Sequence, residues 1–184
     1  MSDETYRIDR RRANEHATPR SGGAVDLFTT SEHPADAGWL QRHVARLRES
    51  YRRLTGRDLI AAGAGEAEAP ALLDAAPFGV VSHGSEADPV FNYANRCALD
   101  LFAMDWAAFT RLPSRLSAQA DERAQRALLL ARVAEAGFID DYSGVRIAAD
   151  GRRFLIEQAT IWNVADEGGN PIGQAARIGR WRDL

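Results

Sequence analysis

Lysine is absent from this chain of 184 residues, and cysteine occurs once, at Cys97. A lone cysteine closes no internal disulfide, so the framework of a small secreted domain is not on offer. No apolar run approaches the roughly 18 residues that a membrane-spanning helix requires. The polar residues 1–12 also lack the apolar middle of a secretory leader. The expectation is a cytoplasmic protein without membrane contact. Arginine supplies all 23 basic residues, yet 26 acidic ones leave a formal charge of -3. That balance makes no field to attract nucleic acid or anionic lipid. Arg10-Arg11-Arg12, the longest basic run, has acidic residues on both sides and reads as a solvated patch, so direct nucleic-acid binding is not expected.

Signatures of chemistry are missing as well. There is no Gly-x-Ser-x-Gly elbow and no paired His and Glu spacing of a zinc site. Ser82 and His83 are adjacent on an extended segment, which points them to opposite faces, so neither proton transfer between them nor a site with Asp88 is geometrically favoured. His83 reads as a hydrogen-bonding turn residue. No catalytic residue and no metal ligand is assigned.

What is present is pattern. The length suits one well-buried domain with extensions. Residues 1–37 mix charge, Pro, Ser and Gly without period, and an arm of that kind buries too little apolar surface to offset its ordering entropy, so it is expected to be disordered. From Trp39, the residues Leu40, Val44, Leu47, Tyr51 and Leu54 recur at spacings of four and three, the seam of a coiled coil or the buried stripe of an amphipathic helix, with Gly56 as its C-cap. Residues 38–69 therefore read as a helix followed by an Ala- and Gly-rich linker, 61–69. The compact domain is expected over 70–184. Within it, 78–83 and 89–93 read as strands of a hairpin, 95–104 and 106–111 as short helices, and 121–136 as a longer helix ended by Gly137. Residues 139–147, 153–164 and 171–178 then form a three-stranded antiparallel meander, its first turn at Asp150-Gly151 and its second at Gly168-Gly169.

Particular residues sharpen this order: Ala76-Pro77-Phe78, Ser82-His83-Gly84, Phe91-Asn92-Tyr93-Ala94-Asn95, Ala98-Leu99-Asp100-Leu101-Phe102, Leu112-Pro113-Ser114-Arg115, Gly137-Phe138-Ile139-Asp140-Asp141-Tyr142-Ser143-Gly144, Gly151-Arg152-Arg153-Phe154, Ala159-Thr160-Ile161-Trp162-Asn163 and Gly173-Gln174-Ala175-Ala176. Together they resemble the MEKHLA domain, a PAS-like module, over residues 40–181. The hexapeptide that names the family is absent. The resemblance implies an α+β fold in which a five-stranded antiparallel sheet carries helices on one face, here with an N-terminal helical extension. Relatives of this kind stand as short bacterial proteins and at the C-terminus of plant class III homeodomain leucine-zipper factors, where the domain is linked to control of dimerisation. This chain has no homeodomain, zinc pattern or long zipper, so the implied output is an interaction with another chain or a change in its own association.

Cofactors of PAS-like sensors do not match the residues. Asn95-Arg96-Cys97 reverses the Asn-Cys-Arg order of flavin-binding light sensors and sits too early in the chain, so Cys97 reads as a packing residue. A haem ligand on the long helix would be a histidine, and residues 121–136 hold none; His16, His33, His43 and His83 lie elsewhere. Neither flavin nor haem is expected. Asn92, Asn95, Gln158, Asn163 and Gln174 lie in or beside apolar segments, where a buried amide either satisfies backbone groups or meets a polar ligand. Period two along the long strand groups Phe154, Ile156, Gln158, Thr160 and Trp162 on one face. A ligand pocket is accordingly expected between the sheet and the helices, lined by Phe91, Tyr93, Leu101, Leu129, Tyr142, Phe154, Ile156, Gln158 and Trp162, with Gln158 and Tyr142 as its polar anchors. Leu40, Val44, Leu47, Tyr51 and Leu54 are the expected seam of a homodimer, or a stripe for the outer sheet face. The reading is a non-catalytic PAS-like sensory or regulatory module that binds a small ligand or mediates association. Its alternatives are a pure dimerisation module with a filled core, and a small α+β enzyme with a dyad of Asp141 and Tyr142, or of Asp141 and His83.

Overall fold

The protein is described by a computed structural model over residues 35–118 and 123–184, excepting the side chains of 123–127 and 130. The arginine run, His16, His33 and the expected disorder of the arm up to residue 34 lie outside the described residues. Helix α1 (Ala37–Thr55) begins where Asp36 accepts the N–H of Trp39 at 2.8 Å, and ends at Gly56, whose φ of 70° turns its N–H back onto the Arg52 carbonyl. Its stripe of Leu40, Val44, Leu47 and Tyr51 is buried.

The stretch expected to be a linker is tied down instead. Leu59 is buried with α1, Arg48 Nη2 donates to the Ala64 carbonyl at 3.1 Å, and Gly65 N–H donates to Glu68 Oε1 at 2.8 Å. Helix α2 (Ala69–Asp74) follows, with Pro70 in the first turn, where its missing N–H costs nothing. Leu59 and Leu73 give this segment the apolar anchors that a free linker lacks.

Strands β1 (Gly79–His83) and β2 (Phe91–Ala94) form the hairpin, followed by helices α3 (Arg96–Phe102) and α4 (Trp106–Phe109), a 3₁₀ turn (Ser114–Ser117) and helix α5 (Arg123–Ala136). Strands β3 (Phe138–Ile147), β4 (Arg153–Ala165), β5 (Pro171–Ile178) and β6 (Arg180–Asp183) complete the chain. All pairings are antiparallel, in the order β2-β1-β5-β4-β3, with β6 also on β4. Six strands stand where five were expected. The sixth continues β5 along β4 in the same register after an interruption at Gly179. All four of its residues are exposed, so no buried alternation announces it.

Two irregularities decide which side chains face inward. The pairing of β3 with β4 shifts between Ile139 and Tyr142 and shifts back between Tyr142 and Gly144, so each strand carries one extra residue. On β4 the bulge falls at Gln158, whose φ is 51°. Before it Phe154 and Ile156 face inward; after it Ala159 and Ile161 do, and Trp162 and Val164 turn to the opposite side.

The sheet therefore has two covered faces. The inner face packs under α3, α4 and α5 around Phe102, Phe109, Val133 and Phe154. The outer face, with Val80, Tyr93, Trp162, Val164 and Ala175, is sealed by α1 and α2. The expectation of helices on one face holds for the inner set; the outer set arises because the α1 stripe meets a sheet face that is equally apolar. Asn95, fully buried, ties the entry to α3 to both sides: its Oδ1 accepts from Val80 N–H at 2.8 Å and Ala98 N–H at 3.2 Å, and its Nδ2 donates to the carbonyls of Leu73 and Phe78 at 3.0 and 2.8 Å.

Candidate functional site

Aromatic side chains fill much of the space under the inner face. Phe91 stacks on Phe109 with ring centroids 4.4 Å apart, and Phe102 meets Phe109 and Phe154 at 5.5 and 5.2 Å. Beside them, between β1, β3, β4, β5 and α5, a cavity of about 50 Å³ remains. A space of this size has room for roughly three to five waters, or a ligand of a few non-hydrogen atoms.

Four expected residues line the cavity: Phe91, Leu129, Tyr142 and Ile156. The others do not. Leu101 and Phe154 belong to the inner core but stand away from the wall. Tyr93 and Trp162 lie on the outer face against α1, where Tyr51 meets the Trp162 ring edge-on at 4.9 Å. Gln158 is exposed: its N–H donates to Ser143 Oγ, and its Oε1 accepts from Arg180 Nη1, both at 3.3 Å. The cause is the bulge, which ends the strict alternation that had placed Gln158, Thr160 and Trp162 with Phe154. Leu40, Val44, Leu47 and Tyr51 are buried, and Leu54 is half-buried, against the chain's own sheet, so they present no open seam to a second subunit in this structure.

Residues outside the expected lining also stand at the wall, among them His83, Ser117, Arg146, Ala159 and Gln174. Arg146 is the informative one. Tyr142, Gly144 and Arg146 alternate on the inward side of β3, and Tyr142 reaches over Gly144 to Arg146; a Cβ at Gly144 would overlap the Tyr142 hydroxyl. Arg146 Nη2 donates to Tyr142 Oη, and Nη1 donates to the Val145 carbonyl at 2.8 Å. Period two after the β3 bulge is the signal that would have found this trio.

On the outer face, Ser82 and His83 diverge as expected, and Ser82 meets another histidine. His43 Nε2 lies 2.8 Å from Ser82 Oγ, and Ser82 Oγ donates to Asn92 Oδ1 at 2.6 Å. The serine hydrogen is thus engaged with Asn92, so His43 donates from Nε2. Burial, and secondarily Arg46, lower its pKa from 6.5 to about 4. A ring so reluctant to take a proton is a poor general base, and its stacking on Trp39 at 4.6 Å marks it as a pin between α1 and the sheet. Asp141 is exposed while Tyr142 is buried, which leaves that dyad unassembled.

The cavity among the described residues is small for a flavin. Ligands of drug size or larger occupy roughly 300–1,000 Å³, several times the cavity here. Cys97 lines a separate surface cleft with Arg96, Asp100 and Arg152, and burial, then Asp100, push its thiol pKa up, away from reactive thiolate.

The MEKHLA domain profile matches residues 41–183, which is most of the chain. The chain belongs to the MEKHLA domain family. Among curated proteins, this MEKHLA domain is 29% identical over 157 residues to the homeobox-leucine zipper protein ATHB-9 of Arabidopsis thaliana; the match takes in 82% of the chain but only 18% of that protein's length. Among solved structures, it is similar to the PAS domain of a Colwellia psychrerythraea protein, at 13% identity and a TM-score of 0.51, covering 60% of this chain and 89% of that one. A Rhodobacter sphaeroides LOV protein aligns at 12% identity and a TM-score of 0.51, covering 78% and 68%. These likenesses establish a PAS-like α+β fold for the MEKHLA domain. Among the described residues, no helix is long and apolar enough to cross a membrane, and no group of three or more His, Cys, Asp or Glu side chains is placed to hold a metal.

Proposed function

We propose that this MEKHLA domain is a non-catalytic sensory module that reads a small ligand in the cavity under its sheet and passes the change to a partner chain or to its own association. The observation that carries the reading is the cavity itself: a small space with apolar walls and a buried polar end, held by the four strands and helix that a PAS-like sheet places around its centre. The reading uses neither flavin nor haem, in keeping with the volume and with the position of Cys97. A role in pairing alone has less support, because the helix stripe that would pair is engaged with its own sheet.

A thermal-shift screen of small metabolites against the wild type and Ala159→Leu tests this. Ala159 is at the cavity wall, so the added carbons occupy the cavity with little strain on the packed core. The wild type is expected to respond to at least one compound, and the folded variant is expected to lose that response. No response in the wild type, or an equal one in the filled variant, would reject the reading.

A further inference from the structure

We propose, building on the cavity reading above, that the ligand is a small monocarboxylate whose anionic end is held by Arg146 and Tyr142. Arg146 is only 6% exposed and stands at the cavity wall. A guanidinium is a cationic group, and burying such a charge is costly unless an anion compensates it. Its two hydrogen-bond partners, the Tyr142 hydroxyl and the Val145 carbonyl, are neutral, and the Tyr142 ring beneath it, 5.3 Å from the guanidinium carbon, is neutral too. Among the described residues no carboxylate comes within ion-pair distance of it. Every ion pair they do form involves side chains with substantial exposure, which makes Arg146 the exception.

The surroundings define the ligand class. Tyr142 Oη accepts from Arg146, and among the described residues its own hydrogen is donated to nothing, so two donors converge at this end of the cavity. Gly144 leaves the room that lets them meet. A planar carboxylate matches a guanidinium edge with parallel hydrogen bonds. One guanidinium balances one negative charge, so a phosphate dianion would carry an uncompensated charge among apolar walls such as Leu129, Ile156, Ile161 and Ile178. Those walls suit a short hydrocarbon tail, and the volume of about 50 Å³ limits it to a few carbons.

The experiment measures thermal shifts of the full chain at constant ionic strength with propionate, butyrate, propionamide, butyramide and inorganic phosphate. Propionate or butyrate is expected to raise the midpoint in a saturable way, while the amides and phosphate do not. Arg146→Met should keep or raise the ligand-free midpoint and weaken carboxylate binding at least about tenfold, the scale of a charged hydrogen bond. Tyr142→Phe should weaken it about threefold to tenfold with the fold intact. The carboxylates of Asp121 and Glu122 lie outside the described residues; Asp121→Asn/Glu122→Gln is expected to bind propionate as the wild type does, and a gain of affinity there would identify an internal counter-ion and overturn the proposal. Equal response to amides and acids, or carboxylate binding unaffected by Tyr142→Phe, would also overturn it while leaving the cavity reading intact. Silence toward propionate and butyrate would overturn it as well, while the cavity reading stands or falls on the wider metabolite screen.

Discussion

At Gln158 a φ of 51° turns the amide to the surface, where Arg180 meets it at 3.3 Å. Its neighbours on the inner face, Ile156 and Ala159, line the cavity without it. Gln158→Leu is therefore expected to leave the midpoint shift caused by any cavity ligand unchanged, as a titration of both proteins will check. Gln158→Gly should stabilise by about 1 kcal/mol in chemical denaturation, because glycine occupies a left-handed conformation without the Cβ penalty. His43 carries a second consequence at this scale. Its folded pKa is about 4 against 6.5 when unfolded, lowered by burial and then by Arg46. Between those values the unfolded chain binds a proton that the folded one refuses, so the His43 contribution is fully present above pH 6.5 and is lost as pH falls towards 4. The total is about 3 kcal/mol. Urea unfolding from pH 7 to 4 should show this fall in the wild type and a smaller one in His43→Gln, which keeps a donor near Ser82. Parallel pH profiles would exclude His43 as the cause.

Helix α1 draws its stability from the sheet it covers, since Val44 and Leu47 are fully buried there and Tyr51 nearly so. An isolated helix of this length is marginal in water, so the contact is what keeps it folded. Leu47→Ala should cost about 2–5 kcal/mol. The loss should be the same at low and high protein concentration, as an intramolecular contact requires; a loss that shrinks as concentration rises would instead locate Leu47 in a subunit interface. The 4-3 spacing made this helix legible, and the turn at Gly151 with the alternation around it made β3, β4 and β5 legible within a residue or so of their ends. What stayed hidden has common physical causes. The bulge at Gln158 involves no Gly or Pro to mark it, yet it reverses the facing of Thr160 and Trp162 and takes two expected wall residues, Gln158 and Trp162, off the inner side. Strand β6 is charged and exposed, and α2 is short, its place set by Leu73 meeting the outer core rather than by any local period. Arg146 escaped notice because an arginine on an extended segment reads as solvent-facing until the compensating β3 bulge puts it on the inner side.

Taken whole, the molecule is one sheet with different contents on its two faces: packed aromatics and a small polar-ended cavity on the inner side, and a helix closing the outer side. Strands β1, β4 and β5 belong to both, with Val81, Ile161 and Ile178 facing the cavity and Val80, Trp162 and Ala175 in the outer core. A ligand that alters the spacing of these strands therefore has a short path to α1, the element through which a sensory module of this shape would alter its partners. A methyl-labelled NMR titration with a mixture of small carboxylates, alcohols and amides tests the central claim most directly. The account predicts saturable shifts first at Leu129, Ile156, Ile161 and Ile178, with smaller ones at Val44, Leu47 and Val164 across the sheet. No saturable shift among the four inner methyl groups, or shifts confined to the outer three, would contradict it.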